Sequence, residues 1–251
     1  MGLPYHTHLH GKIAELVIEH PPVNALDSAG WNALAQGIED LGKDPDSSVI
    51  LIRAEGKGFC AGVDIKEMAA HPERIVELNA GNYATFRAVH RNPKPVVVAV
   101  HGFVLGGGIG ISGAADILIA SEDAKFGLPE IDRGAMGGGS HLRRLFPVQK
   151  LRYLAFTGEM IGAADAAKYG GIERVVPREQ LVETAMQIAG KIAEKSPYLL
   201  KLTKESLTGI AADRDLEDNY RWEQGFTLQA YLSPDSVEAR KAFAEKRDAK
   251  F

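Results

Sequence analysis

The segment His101–Gly110, His-Gly-Phe-Val-Leu-Gly-Gly-Gly-Ile-Gly, carries the densest chemical signal in the chain. It follows a strongly β-forming run and precedes another at Ile117, with room for one short helix between them. Consecutive glycines where a strand turns into a helix let the backbone approach a ligand and aim N–H groups at it, and the helix dipole favours negative charge there. A phosphate-binding P-loop would end in Gly-Lys-Ser/Thr, which Ile109-Gly110 is not, and the glycine spacing fits a dinucleotide fingerprint only in part. The other chemistry is an oxyanion hole. A second segment, Gly58–Met68, also follows a β run and turns through glycine into a helix-like stretch, so each turn can offer one N–H to the same oxygen. A thioester carbonyl becoming an enolate or tetrahedral oxyanion needs such a pair, and one donor is worth about 3–4 kcal/mol. Glu130, in Phe-Gly-Leu-Pro-Glu-Ile, is the matching proton carrier, because an apolar setting would raise its pKa toward working pH.

These residues need a scaffold of strands and helices, and the hydrophobic pattern supplies one. Lys12–Glu19, Val49–Arg53, Val96–Val100 and Ile117–Ala120 read as strands. Trp31, Leu34, Ile38 and Leu41 recur at helical spacing between the first two, with Asp27 or Ser28 available as N-cap. Strand–helix–strand repetition of this kind predicts parallel βαβ units. Beyond Ala163 the pattern turns mostly helical: Leu181, Ala185, Ile188, Ala189 and Ile192 form one stripe, a helix starts at Ser196-Pro197, and Ser236–Phe251 reads as a C-terminal amphipathic helix.

Composition narrows the class of protein. With 251 residues the chain suits one large domain or a core with a smaller appendage, and 29 basic against 33 acidic residues leave no basic excess for a nucleic-acid footprint. The single cysteine, Cys60, excludes an intrachain disulfide framework and fits a reducing compartment. Met1–Gly11 has no signal-peptide pattern, and the longest apolar stretch, Pro95–Gly110, is interrupted by glycines and His101. The expectation is a soluble cytoplasmic protein that engages neither membrane nor nucleic acid.

Five segments, in this order, carry a family resemblance: Pro21-Pro-Val-Asn-Ala-Leu26, Ala61-Gly-Val-Asp-Ile-Lys-Glu67, Gly102-Phe-Val-Leu-Gly-Gly-Gly108, Phe126-Gly-Leu-Pro-Glu130 and Ala242-Phe-Ala-Glu-Lys-Arg247. Together they resemble the enoyl-CoA hydratase/isomerase (crotonase) superfamily along nearly the whole chain. The resemblance implies an α/β fold, a ββα spiral core over residues 1–195, and a C-terminal helical trimerisation region over 196–251. It further implies acyl-CoA thioester substrates, no metal or redox cofactor, and a homotrimer or dimer of trimers. Carried over by position, the oxyanion donors are the N–H groups of Val63 and Gly107. Ala61 and Lys66 contact CoA, and Phe226 and Lys246 approach its nucleotide end, often from a neighbouring subunit.

One departure from the family pattern bears on the reaction. Typical hydratases carry a second glutamate just after the glycine triplet, where this chain has Gly110. Hydration divides the handling of water between two carboxylates, whereas a proton shift in an enoyl-CoA needs only one. Hydrolytic cleavage of a carbon–carbon bond in a cyclic β-keto acyl-CoA also fits one base and an oxyanion hole. The segments Gly127–Met136 and Gly106–Gly110 most resemble actinobacterial crotonases that open steroid-derived rings in this way. Asp132, two residues beyond Glu130, and His141 are candidates to replace the missing acid, and Glu223 lies further out.

Other residues read more plainly. Asp64 caps a helix, His101 makes a local hydrogen bond, Cys60 packs in the core, and the Arg143-Arg144 pair is solvated. His6, His8 and His10 lie on one face of a frayed terminal strand. A non-catalytic acyl-CoA binder and an RNA-binding relative are the competing classes; Glu130 argues against the first and the charge balance against the second.

Overall fold

The computed structural model describes residues 2–133, 135–210, 225–226, 229 and 233–251. Its core is a repeated unit in which one strand enters a large sheet, the next enters a smaller one, and a helix or helical turn follows. β1 (Tyr5–His10) and β2 (Ile13–Ile18) open the chain, followed by β3 (Ala25–Leu26) and α1 (Ser28–Lys43). β4 (Val49–Ala54), β5 (Gly62–Val63), α2 (Ile65–Ala70) and α3 (Ile75–His90) form the next unit. β6 (Val96–Val100), β7 (Phe103–Leu105) and α4 (Gly107–Ala114) form a third, and β8 (Ile117–Ser121) and β9 (Lys125–Gly127) lead into a 3-10 turn at Pro129–Arg133. After α5 (Gly139–Leu142), α6 (Val148–Thr157), β10 (Met160–Gly162) and α7 (Ala163–Ala167) comes β11 (Arg174–Val176). The helices α8 (Leu181–Ala193), α9 (Pro197–Gly209) and α10 (Pro234–Glu245) complete the described chain.

The large sheet runs β1-β2-β4-β6-β8-β11, parallel except for the antiparallel β1–β2 hairpin. Its central strands are buried on both faces, as their β-branched sequences require, and alternate residues serve different layers. Val49 and Leu51 of β4, with Val97 and Ala99 of β6, pack against Leu181, Ala185 and Ala189 of α8. Ile50 and Ile52, with Val96, Val98 and Val100, face the main core of Trp31, Leu34, Phe59 and Phe126. Each such aliphatic side chain removed from water contributes about 1.5–3 kcal/mol. The smaller layer pairs β3 with β5 and sets β9 between β7 and β10, and a parallel bridge between Cys60 and Val104 joins the two groups. The ββα spiral is therefore as expected, and so are the caps: Asp27 Oδ1 accepts from Gly30 N–H at 2.7 Å and Ser196 Oγ from Leu199 N–H at 3.1 Å.

The region beyond Ala163 is mostly helical, as expected, with β11 adding a parallel edge to the large sheet. Two expectations are corrected. The N-terminal strand is not frayed, because all six residues of β1 are in register with β2. The C-terminal helix spans Pro234–Glu245 rather than 236–251: proline starts it, and Lys246, with φ of 52°, turns the chain out of it.

Candidate active site

The site begins with backbone. Asn24 is buried, and its Nδ2 donates to the carbonyls of Glu55 at 2.9 Å and Gly58 at 3.0 Å, stitching the chain that leaves β4 onto β3. Ala61 N–H then reaches Val23 O at 3.2 Å, and Asp64 N–H reaches Leu26 O at 2.9 Å. On the other side of this turn the Cys60–Val104 bridge places β7 and its continuation into α4. Between them Gly62 has φ of 93°, and a Cβ on it would stand 3.3 Å from Gly107 N, so only glycine brings the two turns together.

The second turn mirrors the first. Gly106, with φ of 50°, is the N-cap of α4, and Gly110 N–H closes on Gly106 O at 3.1 Å. Gly107 is the first residue of that helix, so its N–H belongs to the group that has no intrahelical acceptor. A methyl group on Gly106 would collide with Oε1 of Glu130, which the Pro129–Arg133 turn delivers from the end of β9. Gly62, Gly107 and the half-buried Glu130 thus meet at Gly106. One strand–turn, one helix start and one carboxylate converge there, a geometry that can hold an oxyanion beside a proton carrier.

Three rings stand along α4. The indole of Trp31 lies where a Cβ on Gly107 would go, the phenyl of Phe86 from α3 lies where one on Gly110 would go, and His141 backs onto Gly113. Trp31 and Phe86 meet edge-on at 5.9 Å between centroids, and Phe86 and His141 at 4.7 Å. The Trp31 indole N–H is buried and finds no acceptor among the described residues. The place of the missing second glutamate is therefore occupied by hydrocarbon. Pattern reading names Trp31 only as part of an apolar stripe and misses Phe86, because nothing local to either residue shows which glycine its ring will cover.

His141 is brought to this row. Burial, then the Arg144 charge, holds its imidazole below the usual histidine range, and Ser140 Oγ lies 3.3 Å from its Nδ1. Asp132 is not brought to the site. Pro129–Arg133 is a tight 3-10 turn rather than a strand, and Asp132 is exposed, with Oδ2 2.7 Å from where a Cβ of Gly158 would stand. Lys66 and Lys246 are exposed, and Ala61 and Phe226 are half-buried; Glu223 lies outside the described residues.

The plainer readings hold. Asp64 Oδ1 accepts from Lys66 N–H at 2.8 Å, and His101 Nε2 lies 3.1 Å from Gly56 O. Burial pushes the Cys60 thiol up to about 12, against a weaker contribution from the Gly62 N–H, so it is no thiolate nucleophile at neutral pH. Arg143 and Arg144 are exposed, though Arg144 also reaches His90 Nδ1 at 3.2 Å. Among the described residues no cluster of three or more His, Cys, Asp or Glu side chains could hold a metal ion, the His6–His8–His10 row included, and no helix is long and apolar enough to cross a membrane.

This fold, with two glycine turns and a carboxylate converging at the start of α4, defines a class. Residues 9–251 match the enoyl-CoA hydratase/isomerase family, and the chain belongs to it as a crotonase-fold enzyme of acyl-CoA chemistry. Two relatives are hydrolases, each named (7aS)-7a-methyl-1,5-dioxo-2,3,5,6,7,7a-hexahydro-1H-indene-carboxyl-CoA hydrolase. That of Rhodococcus jostii RHA1 is 46% identical over 235 residues, covering 93% of this chain and 91% of the relative. That of Mycobacterium tuberculosis H37Rv is 43% identical over 236 residues, covering 93% and 95%. The solved enoyl-CoA hydratase of Mycobacterium smegmatis superposes with a TM-score of 0.94 at 27% identity, over 99% of both chains.

Proposed function

We propose that this enzyme opens a cyclic β-keto acyl-CoA by hydrolysing a ring carbon–carbon bond. The observation that carries the reading is Phe86 filling the space beside Gly110, which leaves one carboxylate, Glu130, to handle water. The hydrolase names of the two relatives above 40% identity support the same class of substrate.

In this reading the thioester oxygen accepts from the Val63 and Gly107 N–H groups. Glu130 takes a proton from water as its oxygen adds to the ring ketone carbon. The bond from that carbon to the α-carbon then breaks, and its electron pair becomes the thioester enolate, whose charge the two N–H groups stabilise. Glu130 returns the proton to the α-carbon, and the former ketone leaves as a carboxylic acid that ionises. Water and the thioester suffice, with no redox or metal cofactor. Ala61 and Lys66 hold CoA, with Phe226 and Lys246 at its nucleotide end, and the assembly is a homotrimer or dimer of trimers working in the cytoplasm. His141 is a wall of the acyl site rather than the base, its imidazole kept neutral beside Phe86.

The test is incubation with the CoA thioester of a cyclic β-keto acid in heavy-oxygen water, followed by mass spectrometry. The expected product gains one water, with the heavy oxygen in its new carboxylate. Hydration of crotonyl-CoA or migration of an enoyl double bond, without ring opening, would overturn the reading in favour of a hydratase or isomerase.

A further inference from the structure

Beyond the Phe86–His141 pair the molecule has a cavity of about 480 Å³ whose charge has no counterpart in the chemistry described so far. Among the described residues it is lined by Phe86, Arg87, His90, Arg91, His141 and Arg144, together with Tyr83, Ala114 and Ser140, and none of these is a carboxylate. Among the described residues none of the three guanidiniums is in an ion pair with an acid. Among the described residues the Arg144 guanidinium contacts two neutral acceptors, His90 Nδ1 at 3.2 Å and Ala115 O at 3.4 Å. Asp116, whose charge acts on His90, is spent: both its oxygens lie 2.6 Å from the buried Lys204 ammonium, and one also accepts from Val96 N–H. Burial first, then the Arg144, Lys204 and Arg91 charges, holds the His90 imidazole down against the opposing pull of Asp116. Among the described residues, then, the recess is lined by cations and no acid, with its three arginines exposed.

Its position relative to the thioester end follows from α4. Gly107 starts that helix and Ala114, which lines the cavity, ends it, so the two lie about 10 Å apart at the rise of an α-helix. An acyl group that ends in a carboxylate spans that distance, with its thioester at Gly107 and its anion among the guanidiniums. Arginine suits this task because its planar fork pairs with a carboxylate through two parallel hydrogen bonds.

We infer that the recess formed by Arg87, Arg91 and Arg144 is a carboxylate subsite that receives the acid end of the acyl group. It rests on the ring-opening reading for its role, since that reaction creates a carboxylate on the acyl chain and a cationic recess draws the new anion away from the enolate carbon. The recess itself stands on its lining alone and is testable without catalysis.

The measurement is the affinity of the intact protein, by calorimetry, for adipyl-CoA and suberyl-CoA against hexanoyl-CoA and octanoyl-CoA, with free adipate as a competitor. None of these thioesters has a ring to open, so the outcome is independent of turnover. At least one ω-carboxy thioester should bind about tenfold more tightly than its methyl-ended partner. Arg87→Gln and Arg144→Gln should each cut that advantage to about twofold and leave the affinity for butyryl-CoA unchanged. Equal affinities within each pair would overturn the subsite, as they would if another copy of the chain fills the recess in the assembly. An advantage that survives both substitutions together, or that free adipate produces as strongly without the thioester, would also overturn it. Absence of ring opening with the advantage intact would instead remove the proposed reaction and leave the subsite standing.

Discussion

Two positions one helical turn apart on α4 have met opposite fates. At Gly106 the space a side chain would take holds the carboxylate of Glu130, and at Gly110 it holds the ring of Phe86. Both positions are glycine and both belong to the same close-packed turn, yet one neighbour is an acid and the other is hydrocarbon. The difference teaches that the second acid is not merely missing. Trp31, Phe86 and His141 form one aromatic row, so the site has an apolar wall on one side and the carboxylate of Glu130 on the other.

The strongest way to break this comparison is at the acid. Glu130→Gln keeps the shape and removes the proposed proton carrier, so turnover should fall about a thousandfold with little change in melting temperature. Comparable turnover in that variant would move the chemistry elsewhere and empty the comparison of meaning.

The next test attacks the aromatic side. Gly110→Glu drives a side chain into the Phe86 ring and should cost about 3 kcal/mol in a denaturant titration. Adding Phe86→Ala should recover part of that loss by opening room, and crotonyl-CoA hydration should then rise above that of either single variant. If Gly110→Glu is as stable as the parent, Phe86 is not the obstacle described here.

A smaller effect comes from protons. His90, His101 and His141 all have imidazoles held below the usual 6.5, in each case by burial first and then by a nearby arginine. The unfolded chain takes up protons as the pH falls through about 6.5, while the folded chain refuses them until lower pH. Stability is therefore fully present above that value and declines as pH drops below it. Melting curves from pH 7.5 down to about 5 should show the decline, and His141→Gln should make it shallower. A flat profile would mean that these histidines protonate as readily in the folded protein as outside it.

Much of this arrangement was legible in the sequence. The strands β2, β4, β6 and β8 are β-branched runs, and the two glycine turns and Glu130 announce themselves by type and setting. What escaped notice did so for physical reasons. β3 and β5 are two residues each, too short for any period to appear, although they carry the chain into the Gly62 turn. α3 buries only a scattered set of residues, including Gly81 and Thr85, so its stripe is weak and Phe86 stays hidden. The contact between Phe86 and Gly110 is tertiary, and Gly110 alone says only that an acid is absent.

The smallest expected effect separates spacing from geometry. Asp132 stands two residues from Glu130, and spacing alone makes it the natural reserve acid. In the 3-10 turn, successive residues advance by about a third of a turn, so residues two apart point in well-separated directions. Glu130 therefore reaches Gly106 while Asp132 turns out to the solvent edge beside Gly158. Asp132→Asn should leave turnover within about twofold and stability within about 0.5 kcal/mol, as for an exposed substitution away from special features. A drop on the scale expected for Glu130→Gln would mean that the turn unwinds when substrate binds and that the two acids share the proton after all.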